Sequence, residues 1–575
     1  MTDSLEGLEQ KRSQLYQRLQ RLGDFRPGMI SVNHRKCGKP NCACAQPGHQ
    51  GHGPQYLWNT TQQGKSRAQN LRLGPEVEKV AQELENYDRF VGLCGELVEV
   101  NEQICRLRPV RTVVDETELA QLKKKFAAEV QQEMEKEIAV LLSRLLGAGS
   151  GRRPLDLEAS EMAIRDSMHQ MGAVLLEKVI AADGKGYQGQ ETGCEPGHSA
   201  SFVDYRWKGV LTVLGPVQVQ RGYYHCSRCG GGVIPKDRKL DIVGTSFSPG
   251  IRRMMGRVGS QEPFAAGGQD LEELAGVQVT AKQVERVAEA IGVEVEAMRV
   301  EERKTVPPAA GKVVPLKVVE TLYIAYDGTG VPMVPRETEG RPGKEGKAKT
   351  REAKLGCVFT QTRVNEKGQP VRDEDSTSYV GAIETVEQFG PRIYAEAVRR
   401  GLNQAKRVVV LGDGSPWIWG IADEHFPGAI QIVDLYHARE HLANLSKIVY
   451  GPTHSEGKQW LAAGYQELDS GKVEDLIGDL RGLKSRDDSV QKEIEKQIHY
   501  FQTNAERMRY AEFRRQGLFV GSGVIEAGCK TIVGLRLKQS GMKWTVRGAN
   551  AIIALRCLAL SGRWEQFWEN RAVGQ

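Results

Sequence analysis

Two aspartates and a glutamate stand where a chain turning out of a strand or into a helix could bring them together. Asp327 ends the apolar run 321–326, Asp413 ends the run 408–412, and Glu526 opens a basic helical stretch. Carboxylates so placed can hold a divalent ion, because Mg2+ takes oxygen ligands and keeps several waters, so a few acids suffice. Two such ions roughly 3.5–4 Å apart stabilise the attacking and leaving oxygens of a phosphodiester. The expected cofactor is therefore Mg2+ (or Mn2+). Gly328-Thr329-Gly330 after Asp327 allows close backbone approach. Asp434 rivals Asp413, since it also ends an apolar strand, and His437 follows at the start of a helix. An Asp there is also an ordinary helix cap. Residue types alone leave four candidates for three places.

The elements that must carry these acids follow from hydrophobic periodicity. One strand ends at Asp327, a second covers about 354–361 and a third lies near 376–380. A helix over 385–402, a strand over 407–411, a short helix from Trp417, a strand over 429–433 and a helix from Tyr436 follow. This β-β-β-α-β-α-β-α succession is that of a ribonuclease-H-like core, a mixed sheet flanked by helices. Residues 455–516 interrupt it with amphipathic helix that puts Val490, Ile494, Phe501, Ala505 and Met508 on one side. Such an insertion extends DNA contact or packs on the core. Helix resumes over 523–538 and 547–560.

Upstream, Leu5, Leu8, Leu15, Leu19 and Leu22 have a helical period, and a cysteine- and glycine-rich stretch runs to about residue 60. Helices are expected over 75–107, 117–146 and 157–182, with a glycine-rich linker at 147–154. Residues 201–225 alternate like β-hairpins, with turns at Gly209 and Gly215-Pro216. Residues 264–274 and 281–290, broken at Gly276, fit either a helix-turn-helix or two packed helices. The expected chain is a multidomain α/β protein. Its parts are a helical and zinc-finger-like domain (1–110), a helix and linker (111–154), a zinc-ribbon-like hairpin domain (155–245), a helical DNA-binding domain (246–312), the catalytic core (313–454 and 517–565) and the helical insertion (455–516).

Five of the eleven cysteines lie in tight clusters with histidines nearby. Cys37, Cys42 and Cys44 with His49 form one candidate zinc set, with His34 and His52 also close in sequence. Cys226 and Cys229, with Cys194 and His198 upstream, form the other, and His225 could substitute. Cys94, Cys105, Cys357, Cys529 and Cys557 are scattered and read as small buried hydrophobes. No segment has the apolar length of a membrane span and no signal-peptide pattern opens the chain, so a cytoplasmic protein with no membrane partner is expected.

The 575 residues are 40% hydrophobic and 26% charged, ordinary for a globular protein, and the net charge of +6 is uninformative. Its distribution is not. Residues 341–354 hold six Lys/Arg against two Glu, and 530–547 hold five with no acid. Lys344, Lys347, Lys349 and Arg351 in the first, and Lys530, Arg536, Lys538, Lys543 and Arg547 in the second, suit DNA phosphates. Trp544 in the second would stack on a base or pack in the core.

Several motifs together resemble one family. Asp413-Gly414, Asp434-Leu-Tyr-His437 and Gly521-Ser-Gly-Val-Ile-Glu526 look like the DDE transposases of the Mutator-related group. Tyr326-Asp-Gly-Thr-Gly-Val, Arg351-Glu-Ala-Lys-Leu-Gly356, Tyr223-Tyr-His-Cys-Ser-Arg-Cys229 and Gly541-Met-Lys-Trp544 are similar to the ISKra insertion-sequence transposases within it. The resemblance covers about residues 155–565. It implies Asp327, Asp413 and Glu526 as the metal-binding triad, with Asp434 and His437 auxiliary. It further implies double-stranded DNA partners (terminal inverted repeats and target) and a homodimer or higher oligomer. The alternatives are a ribonuclease-H-like nuclease without strand transfer, or a catalytically dead zinc-containing DNA-binding protein.

Overall fold

The computed structural model describes residues 5–62, 65–107, parts of 131–143, 156–194, 197–305, 319–343 and 346–573. The chain divides into two units, Met1–Ala127 and Ala128–Gln575, each taken by itself. Most of the helix expected over 117–146, and the linker 147–154, lie outside the described residues.

In the first unit, helix Leu5–Gln20 packs along helix Pro75–Leu107 through Leu8, Leu15, Leu93, Val100 and Ile104. The seven-residue spacing of Leu8 and Leu15, and of Leu93 and Val100, sets one apolar seam on each helix. Between them in sequence comes an antiparallel sheet of Met29–Arg35, His52–Gln62 and Lys65–Leu71. That sheet was not expected. Its first strand is exposed or half-exposed throughout, so no apolar alternation announces it.

The second unit begins with helix Leu157–Ala182, capped by Asp156, whose side chain accepts from the Ala159 amide at 3.0 Å. It covers the hairpin His198–Thr212/Gly215–His225 through Ala173, Val210, Val217, Val219 and Ile242. Gly209 is not a turn. It sits inside its strand opposite Gln218, and the chain reverses between Thr212 and Gly215.

The central sheet has five strands: β1 (Val319–Pro332), β2 (Thr350–Gln361), β3 (Ser378–Ala382), β4 (Ala405–Gly412) and β5 (Ile430–Val433). Their order is β3-β2-β1-β4-β5, with β2 antiparallel to both neighbours and β4 and β5 parallel to β1. Helix Val386–Arg399 links β3 to β4, and helix Pro416–His425 links β4 to β5. Leu322 through Tyr326 are fully buried on both faces of β1, the pattern of a strand covered by helices on each side. Each fully buried Leu or Ile there contributes about 1.5–3 kcal/mol.

Two further segments pack on this core. Helices Pro249–Gln261, Phe264–Ala275 and Ala281–Thr305 share one hydrophobic cluster with the sheet, through Ile251, Met255, Val284, Ala288, Ile291 and Val295. A Cβ on Gly292 would meet the Ala551 carbonyl oxygen at 2.3 Å, so helix Ala281–Thr305 lies backbone-to-backbone on helix Val546–Leu560. The helices of segment 264–290 thus pack on the core, as one of the two sequence expectations had it. The insertion also joins the core. Ile494, Phe501 and Met508, seven residues apart, are fully buried with Leu468, Val473, Leu480 and Tyr510.

Candidate active site

Asp327 lies within β1 rather than at its end. The parallel ladder to β4 stops at the pair Ala325–Leu411, while the antiparallel ladder to β2 runs on through Asp327–Leu355 to Pro332–Thr350. The aspartate therefore emerges where β4 has left the sheet, which is the opening the sequence assigned to a strand end. One carboxylate oxygen accepts from the Gly328 amide at 2.6 Å, and the Cys529 thiol lies 3.7 Å from the other. Burial, then the charge of Asp413, raises the Asp327 carboxyl above the ordinary aspartate value.

Asp413 follows β4 directly, in a turn that Gly414 takes at φ +99. Its oxygens accept from the Ser415 amide at 2.8 Å and the Ser415 hydroxyl at 3.0 Å, an Asx turn leading into helix Pro416–His425. Glu526 is exposed on helix Gly523–Gly528, 3.4 Å from the Ser522 hydroxyl. That helix widens into a π-helical stretch, Cys529–Gly534. Such widening is common at functional sites, and here it sets Cys529 against Asp327.

Asp434 does different work. It is fully buried and caps helix Leu435–Tyr450, one oxygen accepting from the His437 amide at 2.6 Å and the other from the Ser522 amide. The Leu435 amide donates to the Val520 carbonyl at 2.9 Å beside it. Asp434 therefore clamps the segment that starts the Glu526 helix onto the end of β5, with both oxygens committed to backbone. His437 is half-exposed, its ring edge-on to His441 at 5.4 Å.

Among the described residues, no Lys, Arg or His side chain forms an ion pair with Asp327, Asp413 or Glu526. Two half-buried acids side by side, with no ion-pair partner among the described residues, make a donor set short of positive charge, and its all-oxygen chemistry fits Mg2+ or Mn2+. The three carboxylates are not gathered as tightly as the cysteine groups, in which every ligand atom lies within 4.8 Å of the others. A stability consequence follows. Because the Asp327 carboxyl is raised in the fold, the unfolded chain releases its proton first, and stability falls as pH rises between the unfolded and folded values. Asp327→Asn is expected to raise the Tm of metal-free protein at pH 7, with the gain vanishing below the ordinary aspartate range. Mn2+ should raise the wild-type Tm and leave that variant unmoved; differential scanning fluorimetry across pH reads both.

The basic residues divide by position. Lys347, Lys349, Lys530, Lys538, Lys543 and Arg547 are exposed and Arg351 is half-buried, while Lys344 lies outside the described residues. Lys538 reaches the Thr329 hydroxyl at 2.5 Å, two residues from Asp327. Arg536 and Trp544 do not belong to this surface. Arg536 is fully buried, donates to the Gly259 carbonyl at 3.1 Å and lies over the rings of Phe264 and Trp544. Trp544 packs edge-on to Phe264 and donates to the Leu537 carbonyl at 3.0 Å. The segment alternates core and surface residues, so its charge count overstated what DNA could touch.

The first cysteine group comprises Cys37, Cys42, Cys44 and His52, not His49. His52 starts a strand paired with Arg35, which brings its ring to 3.0 Å from the Cys42 sulfur. His49 instead accepts from the Gly51 amide at 3.0 Å. The Cys37 thiol is lowered to about 6, first by a backbone hydrogen bond at Lys39 and then by Cys44 and His52. Three thiols and one imidazole fit tetrahedral Zn2+. His52→Ala should weaken zinc retention by more than about tenfold and His49→Ala should not, read by competition with a chromogenic chelator. The second group is Cys194, Cys226 and Cys229, with His198 at its margin, 3.9 Å from the Cys226 sulfur. Of the scattered cysteines, Cys357 and Cys557 are buried as expected, whereas Cys105 is exposed and Cys529 faces Asp327.

Residues 5–81 match a family described as Domain of unknown function (DUF6788), and residues 156–571 match one described as Uncharacterised protein family (UPF0236). A solved structure, the Drosophila P element transposase strand transfer complex, is similar at 10% identity, covering 59% of this chain and 84% of that chain with a TM-score of 0.20. A search of curated proteins found no match. Among the described residues no helix is long and apolar enough to cross a membrane.

Proposed function

The chain belongs to the UPF0236 family over residues 156–571, and from that membership and the geometry above we propose that it is a DNA transposase of the DDE type. The observation that carries the reading is the pair Asp327 and Asp413, on neighbouring parallel strands and without an ion-pair partner among the described residues, with the Glu526 helix pinned beside them through Asp434. The order β3-β2-β1-β4-β5 with antiparallel β2 supports a ribonuclease-H-like core. In this reading Asp327, Asp413 and Glu526 hold Mg2+ or Mn2+. When bound, the ions stabilise charge on the attacking and leaving oxygens of a phosphodiester.

The protein's own groups do the rest. Lys530, Lys538, Lys543 and Arg547, with Lys347, Lys349 and Arg351 from the β1–β2 hairpin, hold DNA phosphates. Contacts of this kind set register and carry no sequence information. A water oxygen attacks phosphorus at the element's end and the 3′ oxygen leaves as a hydroxyl. That hydroxyl then attacks a target phosphodiester, displacing the target's own 3′ oxygen. The cysteine groups are structural zinc sites, and two copies of the chain are needed to hold two ends.

Labelled terminal-repeat DNA, a target plasmid and Mg2+ test the proposal. Joining of the labelled strand to the plasmid is the expected result. Nicking without joining would favour the plain nuclease, and neither would favour a DNA-binding protein without activity.

A further inference from the structure

The helical insertion packs on the core, and one of its side chains reaches the Asp413 turn directly. Tyr500 lies on helix Asp488–Asn504, and its hydroxyl donates to the main-chain carbonyl of Asp413 at 2.8 Å. Its ring closes the same turn from the side, since a Cβ on Gly414 would lie 2.6 Å from the ring edge. His441 stacks on that ring at 4.0 Å, the planes 10° apart. Gln497, on the tyrosine's own helix, bonds the His441 ring nitrogen at 2.7 Å and gives its amide to Glu493 at 2.6 Å. The carbonyl of Asp413 is thus held by a side chain with little freedom to move.

Resting on the reading of Asp413 as a metal-holding carboxylate, we propose that Tyr500 is a positioning residue for it. The hydroxyl and ring fix the Asp413-Gly414-Ser415 turn, and the Ser415 amide and hydroxyl, carried by that turn, aim the carboxylate. A tyrosine that only filled space would need its ring and no particular donor. Here the donor is spent on the one backbone carbonyl whose rotation would swing the carboxylate. The insertion becomes a working part of the metal site, and its movement would change metal affinity.

The test uses the full chain, with Mn2+ binding followed by the paramagnetic resonance of free Mn2+ and folding followed by urea titration. Tyr500→Phe keeps the ring and the stack and removes the donor. It should weaken Mn2+ binding about tenfold, the low end of what outer-shell partners are worth, with the urea midpoint nearly unchanged. The Mn2+ needed for half-maximal cleavage should rise in step, while the rate at saturating Mn2+ returns toward wild type. Gly414→Ala disturbs the turn from its other side and should weaken binding likewise. Mn2+ affinity unchanged in both variants overturns the inference, as does weakening that merely follows the loss of folded protein. Asp413→Asn separates the two levels. Loss of Mn2+ there with none in Tyr500→Phe contradicts the role of Tyr500 alone, and no loss there contradicts the proposed site as well.

Discussion

Glu526→Gln is expected to abolish DNA cleavage and strand joining while DNA binding survives. The substitution is close to isosteric, so helix Gly523–Gly528 keeps its shape, and Ser522 can still reach the remaining carbonyl oxygen. In the proposed role of Glu526, what disappears is a negative charge offered to a divalent ion. Outer-shell partners of a metal typically cost 10–100-fold when removed, so a ligand should cost more than about a hundredfold. The exposed lysines at 530, 538 and 543 are untouched, so the affinity of the variant for end DNA in a gel-shift should stay near wild type. Cleavage within tenfold of wild type would remove Glu526 from the site.

Asp434→Ala acts on folding first and chemistry second. The side chain is fully buried and satisfies two backbone amides, those of His437 and Ser522. Losing the cap costs about 1 kcal/mol, and leaving the Ser522 amide unsatisfied about 1–3 kcal/mol more. A destabilisation of about 2–4 kcal/mol in urea unfolding is expected from those two terms. Asp434→Asn should recover only part of it, because an amide offers one acceptor where the carboxylate serves two donors. Cleavage should fall as well, since the segment leading into Glu526 is no longer clamped. A small change in stability with large loss of cleavage would instead mean that Asp434 touches the reacting groups.

The sequence made the sheet legible because its strands are nearly continuous apolar runs separated by turn residues, and the order of elements from β1 to helix Leu435–Tyr450 follows from them. The position of Asp327 was readable, but its being inside the strand was not. Residues 328–332 pair with β2 through backbone alone, and no apolar run marks that extension. The choice between Asp413 and Asp434 was open at sequence level, because an Asp followed by a helix looks the same whether its oxygens face solvent or two amides. In sequence Arg536 reads as a surface cation for a related reason, since a count of charges ignores which face of a segment is buried, and of the two readings open for Trp544 the structure shows core packing. His52 displaced His49 because a strand register, not proximity along the chain, decides which imidazole meets the thiols. Tyr500, His441 and Cys529 carried no local signal at all. Their roles come from packing between segments dozens to hundreds of residues apart.

The central claim is that Asp327 and Asp413 share divalent metal. Crystals soaked in Mn2+ and measured above the manganese absorption edge test it most directly. An anomalous peak contacting both carboxylates is expected, absent from Asp413→Asn crystals treated alike. No peak there, with manganese bound elsewhere or not at all, would contradict it.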